Sequence, residues 1–424
     1  MRVLFVSANK ETINMLTLPL GMGCVAQATV RAGHEVQTLD LLSATADPSL
    51  LRRTLQNFDP EVIAVSVRNI DDQVRTDTKF LLADVQGLLT QCRAFSQAPV
   101  VLGGAGYSIF PEAALAYLGA DMGIQGEGEA AFPALLERLA RGADVSGVPG
   151  LYTGGHGCQG VREYEKELDR FSLPEAPLWI PSGCRGPDLW VPVQTRRGCP
   201  MRCTYCSTAA IEGRRIRRRS PHQVVRWIAG HVEAGYRQFM FVDNTFNLPA
   251  DYAREICRLL IEERLQISWS CILHPSRTDP GLIRDMARAG CEWVSLGFES
   301  GSERMLRSMR KGFRRDEVRK NSEILAANGI RQIGFLLLGG PGETRESVEE
   351  SFAFADALPA DTMNITAGVR IYPHTELAAV AVQEGILLPE DDLLFPRFYL
   401  ARGLDGWLQE TVAKWAKARP HWMT

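Results

Sequence analysis

Short apolar runs rich in Val, Ile and Leu alternate with helix-length amphipathic segments through the first part of the chain. Positions 3–7, 35–39, 62–67, 100–102 and 122–125 read as strands, and segments such as 21–32 and 76–91 read as helices. This rhythm predicts an α/β fold: a doubly wound, Rossmann-like parallel sheet over residues 1–141, whose ligands lie beyond the carboxyl ends of the strands. At those ends stand Ser66, Arg68 and Asn69 after the third strand, Gly103, Gly104 and Tyr107 after the fourth, and Gln125, Gly126 and Glu127 after the fifth. Glycine at such ends lets backbone approach a flat ligand closely.

The pattern breaks into Gly, Pro and polar turns over 142–191, which predicts an interdomain linker. It resumes at 192 with strand-like runs at 239–242, 268–273, 293–297, 333–338 and 366–371. Counting the strand before the clustered cysteines, six units predict a partial (β/α)6 barrel over 192–386. The tail, 387–424, has no further unit and carries Phe395, Phe398, Tyr399, Trp407, Trp415 and Trp422 among charged residues, the composition of a small C-terminal cap.

Composition narrows the function. With 424 residues, 45% apolar, 23% charged and a net charge of −3, the chain is an ordinary globular protein with no general attraction for nucleic acid. No uninterrupted apolar stretch is long enough to span a membrane, and the N-terminus enters a strand without a secretory signal. A cytoplasmic protein is therefore expected, in which ten cysteines serve as buried thiols or metal ligands rather than disulfides.

Three of those cysteines stand together. Arg197-Gly198-Cys199-Pro200-Met201-Arg202-Cys203-Thr204-Tyr205-Cys206 places three thiols at CxxxCxxC spacing directly after a strand. Three thiolates hold three corners of an iron-sulfur cubane and leave the fourth iron open to a small chelating molecule. Structural zinc is the competing reading, but it favours paired CxxC elements and a fourth ligand, for which Cys158 and Cys184 are distant in sequence.

The spacing, with Tyr205 before the third cysteine, resembles the signature of the radical S-adenosylmethionine (SAM) superfamily. The resemblance continues along 193–380. Asp243 stands in a segment similar to the second-strand motif that meets the SAM amino group. Glu299 and Ser300 resemble the fourth-strand ribose contact, and Lys311 stands where a basic residue meets the SAM carboxylate. Gly339-Gly340-Pro341-Gly342-Glu343 resembles the fifth-strand turn, and 370–377 a segment near adenine. The resemblance implies a [4Fe-4S] cluster on Cys199, Cys203 and Cys206, and reductive cleavage of SAM to methionine and a 5'-deoxyadenosyl radical that abstracts a substrate hydrogen. A reductant such as flavodoxin or ferredoxin is implied with it.

An α/β domain ahead of such a barrel resembles the cobalamin-binding branch of the superfamily, which implies a corrinoid at the strand ends named above. The DxHxxG element that places a histidine beneath cobalt is absent, and His34, the only histidine of 1–141, precedes a strand. Cobalamin without a protein histidine ligand is therefore implied, and with it methylation of an unactivated carbon in a small-molecule or lipid-like substrate. A cyclisation or rearrangement without methyl transfer, and a non-catalytic iron-sulfur module, are the alternatives. Arg214, Arg215, Arg217, Arg218 and Arg219 read either as a solvated loop or as a site for an anionic substrate or the phosphate tail of a cofactor; Cys24, Cys92, Cys257, Cys271 and Cys291 read as packing, although Cys271 lies on a barrel strand whose inward positions face SAM or substrate.

Overall fold

The computed structural model describes residues 1–11, 18–42, 47, 49–181, 184, 189–276 and 279–423. They form two compact units: Met1–Asp72, Lys79–Val191 and Thr208–Gly213 in the first; Gln73–Thr78, Pro192–Ser207 and Arg214–Thr424 in the second.

In the first unit, β1 (Arg2–Ser7), β2 (Glu35–Asp40), β3 (Val62–Ser66), β4 (Val100–Gly103) and β5 (Met122–Ile124) form a parallel sheet in the order β2-β1-β3-β4-β5. The central strands are buried along nearly their whole length, which is why they read as unbroken apolar runs rather than alternating ones. Val3, Phe5, Val62, Ala64 and Val101 meet Met22 and Ala26 of the helix Leu20–Arg31 and Phe132, Leu135 and Leu136 of the helix Gly128–Ala140. Phe5 and Phe132 approach to 5.3 Å between ring centres. Truncating a side chain as buried as Leu135 to Ala costs roughly 2–5 kcal/mol.

The segment 142–191 departs from its expected role as a linker. It groups with the first unit, and β6 (Leu151–Thr153) and β7 (Gly157–Cys158) extend the sheet beyond β5 with antiparallel pairing. Strands of three and two residues around a Gly-rich turn show no periodicity, so they read as loop. Residues 182–183 and 185–188 of this segment lie outside the described residues. The helix expected at 76–91 begins only at Leu82, because Gln73–Thr78 groups with the second unit and Asp71 bridges to Phe80.

The second unit is built on the order β18-β15-β14-β13-β12-β11-β8: β8 (Val191–Val193), β11 (Gln238–Phe241), β12 (Ser268–Leu273), β13 (Cys291–Glu299), β14 (Arg331–Leu338), β15 (Thr362–Ala367) and β18 (Trp422–Met423). Two small ladders flank it: β9 (Arg196–Arg197) with β10 (Arg217–Arg218), and β16 (Val369–Arg370) with β17 (Phe398–Tyr399). Burial alternates along β12, with Trp269, Cys271 and Leu273 buried and Ser268, Ser270 and Ile272 only partly so. Trp269 packs on Phe241 and Phe246 at 5.0 and 5.1 Å.

Two expectations shift here. The sixth strand runs over Thr362–Ala367 rather than 366–371, because Ile333 to Leu338 pair with Thr362 to Ala367 and Gly368, at φ +91°, turns the chain out of the sheet. The tail expected as a cap also adds strand to the sheet: β18 pairs with β15 in parallel register. Of its aromatic residues, Trp415 and Trp422 pack on Phe352, at 4.8 and 5.8 Å, and Tyr399 is buried, whereas Phe395 is exposed.

Candidate active site

The thiol loop leaves the sheet between β9 and β10, and its ends are held by that antiparallel ladder, Arg197 opposite Arg217 and Arg196 opposite Arg218. Gly198 sits at φ +91°, where a Cβ would run into the Arg215 carbonyl oxygen, so glycine is required for the entry into the loop. Further along, the Thr204 amide donates to the Met309 carbonyl at 3.2 Å and the Leu377 amide donates to the Thr204 carbonyl at 2.9 Å. The loop is thus tied to the barrel on both sides of Cys203.

Cys199 and Cys203 are partly exposed, Cys206 is exposed, and all ten cysteines of the chain are free thiols. The three loop thiols do not converge on one point: among the described residues, no three His, Cys, Asp or Glu side chains stand together in metal-binding geometry. Burial raises the Cys203 pKa, the Lys311 ammonium opposes that rise, and Cys206 and Glu299 add to it. The donor set fits an iron-sulfur cubane in kind and number, with a cation at hand to offset thiolate charge.

Lys311 gathers the rest of the site. Its Nζ donates to the Tyr205 hydroxyl at 3.1 Å and to Glu299 Oε1 at 3.3 Å, while standing 5.6 Å from the Tyr205 ring centre. Burial works against its charge, but Glu299 and Cys203 outweigh burial and hold its pKa above the ordinary lysine value. Tyr205 is pushed well up by burial and then by Glu299, so its hydroxyl keeps its proton. Glu299 ends β13 beyond a register shift and takes φ +67°, a strained setting for a non-glycine residue that aims its carboxylate at Lys311.

Asp243 and Ser300 are engaged elsewhere. Asp243, 1% exposed, accepts from the Thr195 amide (2.8 Å), the Thr195 hydroxyl (2.6 Å) and the Arg196 amide (3.1 Å), with Arg196 Nε at 3.4 Å. Burial raises its pKa and Arg196 opposes that rise. Ser300 is fully buried, with its hydroxyl 2.9 Å from that of Ser351 and accepting from the Ser302 amide. Both residues brace the strand ends. The sequence left Thr195 and Arg196 unremarked, because a corner between two short strands carries no motif.

The fifth-strand turn is held from below. The Glu343 carboxylate accepts from the Gly339 and Gly340 amides, and its other oxygen is buried without a partner among the described residues. Burial raises its pKa to about 7, while the two amides work in the opposite direction. Cys271 lies on the buried face of β12, close to Cys291, which accords with packing rather than chemistry.

In the first unit, the loops after β3 and β4 close on each other. Gly104, at φ +99°, and Gly106 leave no room for a Cβ against the backbone of Val67 and of Arg68 and Asn69, and the Gly106 amide donates to the Val67 carbonyl at 3.0 Å. These glycines thus serve a backbone-to-backbone approach, where the sequence suggested approach to a ligand. Tyr107 is fully buried against Gly123, and its hydroxyl has no partner among the described residues.

Ser108, which sequence reasoning missed, joins the loop after β4 to the loop after β5: its hydroxyl accepts from the Gly126 amide at 2.9 Å and its carbonyl from Gln125 Nε2 at 3.0 Å. Its signal was only its position four residues after Gly104. The Glu127 carboxylate accepts from the Glu165 amide at 2.9 Å. Ser66, Asn69 and Gly103 are partly exposed and Arg68 is exposed. A cleft runs along the ends of β1 and β3, where the strand order reverses, lined by Ala8, Asn9, Lys10, Val67, Arg68 and Asn69. Asn9, Asn69 and the loop backbone offer hydrogen-bonding groups that suit the amide-rimmed edge of a corrin, beside the charged side chains of Lys10, Glu11, Arg68 and Asp84. No imidazole is among them; His34 bonds the N-terminal amine at 3.3 Å, at the amino end of β1.

Comparison with known proteins agrees with this division. Residues 193–355 match the model of the Radical SAM superfamily, and residues 6–136 match that of the B12 binding domain. An uncharacterized methyltransferase of Pyrococcus horikoshii is 28% identical, over 90% of this chain and 82% of the relative. The tryptophan 2-C-methyltransferase of Streptomyces laurentii is 23% identical, over 87% of this chain and 73% of the relative. The fold matches that of the radical SAM methyltransferase TsrM from Kitasatospora setae, solved with tryptophan and a SAM analogue: TM-score 0.86, 22% identity, 98% of this chain and 88% of that one. A second structure of TsrM holds cobalamin and a [4Fe-4S] cluster.

Proposed function

We propose, from the premise that this chain belongs to the radical SAM superfamily and carries a B12-binding domain, that it methylates an unactivated carbon of a small-molecule or lipid-like substrate. The observation that carries the reading is the thiol loop, tied to strand ends beside Lys311, Glu299 and Tyr205. Methyltransferase relatives matched over most of this chain support it.

Cys199, Cys203 and Cys206 hold the cluster. When bound, the cluster and SAM supply the radical and the corrinoid supplies the methyl group. Lys311 offsets thiolate charge and offers its ammonium to the SAM carboxylate, with the Tyr205 hydroxyl fixing its position. Glu299 takes the ribose. Asp243 and Ser300 are positioning residues that act through the segments they brace. In the first unit, the backbone at Gly103 and Gly104, with Ser66, Arg68, Asn69, Gln125, Gly126 and Glu127 around it, forms the corrinoid surface; Tyr107 supports it from within.

A flavodoxin- or ferredoxin-type reductant and a cytoplasmic setting belong to the same reading. Among the described residues, no helix is long and apolar enough to cross a membrane. The test is anaerobic reconstitution with iron, sulfide and cobalamin, followed by turnover with methyl-deuterated SAM on a panel of small aromatic and isoprenoid compounds. Label in the product is expected. A turned-over product without label establishes cyclisation or rearrangement instead.

A further inference from the structure

The arginine run after the thiol loop splits in two once folded. Arg217 and Arg219 turn inward and are buried, while Arg214, Arg215 and Arg218 face solvent, as does Arg202 inside the thiol loop itself. Only from Arg217 to Arg219 do the side chains alternate, in, out and in, as β10 starts the run on opposite faces. Arg214 reaches back to the thiol loop, its Nη1 3.4 Å from the Met201 carbonyl. Arg218 lies over the Tyr252 ring at 5.4 Å, in a cleft shared with Asp251 and with Glu255, which Arg258 already engages. Among the described residues, none of the four exposed arginines has a carboxylate at ion-pair distance.

Unpaired like charges beside one another repel, and the fold gains no ion pair from them. They sit next to the loop that carries an exposed Cys206. A concentrated patch of one sign on a chain whose net charge is −3 is what steers an oppositely charged partner to one place. Four charges at one place suit a compact acidic protein better than the long phosphate track of a nucleic acid.

We propose that Arg202, Arg214 and Arg215, with Arg218 at the edge, form the docking surface for an acidic one-electron carrier protein of the flavodoxin class. The inference rests on the reductive reading above. In the step it serves, one electron leaves the carrier's reduced flavin, which is oxidised by one electron, and enters the cluster on the thiol loop, which is reduced by one; no bond forms or breaks.

The experiment compares wild type with Arg202→Glu/Arg214→Glu/Arg215→Glu and with a control of equal charge change at exposed sites elsewhere, Arg284→Glu/Lys320→Glu/Lys414→Glu. Each reconstituted holoenzyme is assayed for 5'-deoxyadenosine with reduced flavodoxin and, separately, with dithionite. Oxidised flavodoxin binding is measured by calorimetry at low and high salt. The docking variant is expected to lose about tenfold in flavodoxin-driven rate and in flavodoxin affinity, with the salt dependence reduced, while its dithionite rate and the control stay within twofold of wild type. If the reversal variant does not fold, Arg202→Gln/Arg214→Gln/Arg215→Gln is expected to show a loss of about threefold.

Equal losses under both reductants, unchanged flavodoxin affinity, or a control as impaired as the docking variant would overturn the proposal. So would salt-sensitive oligonucleotide binding in place of flavodoxin binding. If wild type makes no 5'-deoxyadenosine with either reductant, the reductive reading fails, and the calorimetry still decides the docking surface.

Discussion

In the second unit the candidate site is made of side chains: Tyr205 of the thiol loop, Glu299 at the end of β13 and Lys311 meet one another, with Cys203 near enough to feel the charges of Lys311 and Glu299. In the first unit the corresponding strand ends are backbone, closed on one another by Gly104 and Gly106 and fastened through Ser108. Charged and polarisable cofactor atoms call for the former, because electrostatic interaction falls off with distance and needs particular partners. A broad corrin ring calls for the latter, a surface without projecting bulk. Sites of the first kind are expected to fail by loss of a ligand, and those of the second by loss of shape.

The largest effect that would break this contrast is at Cys203. Cys203→Ser should abolish 5'-deoxyadenosine formation by at least about a thousandfold and lower bound iron, with corrinoid binding unchanged; retention of full iron content removes the thiol loop from the argument. Next comes Glu343, where the second unit uses the first unit's device of a side chain serving backbone amides. Its folded pKa of about 7 lies above the ordinary carboxylate value, so the unfolded chain ionises first as pH rises. Its contribution to stability is full below about pH 4.5 and falls by on the order of 3 kcal/mol as pH rises to 7. Glu343→Gln should flatten that dependence in melting temperatures taken from pH 5 to 8, and a flat wild-type profile refutes the account.

Gly104→Ala places a Cβ in the Val67 backbone at a positive φ, and should cost about 2 kcal/mol in denaturant unfolding and weaken corrinoid retention. Wild-type stability in that variant means the two loops are free to part. Lys311→Met should raise the SAM concentration needed for half-maximal rate about tenfold, some 1.4 kcal/mol, by leaving Glu299 without its cation; an unchanged value severs Lys311 from SAM. Smallest of all, His34→Ala should leave corrinoid affinity within twofold. A tenfold loss there restores a histidine ligand.

Much of this was legible in the sequence because it depends on spacing. Thiols at CxxxCxxC remain close in any fold of the loop, and the parallel strands announce themselves through buried apolar runs. What was illegible depends on direction. Asp243 and Ser300 stand where the SAM-binding resemblance puts contacts, yet the turn at each strand end points them at Thr195 and Ser351. Likewise β6 and β7 owe their pairing to the free edge of β5, which no local pattern records.

The saturated carboxylate of Asp243 has a consequence for how the enzyme is made. Three hydrogen bonds and the Arg196 ion pair occupy that side chain, so the corner leading into the thiol loop is held by contacts within the polypeptide itself. A cluster arriving there would still have to draw the three thiols together, but the entry to their loop would already be in place.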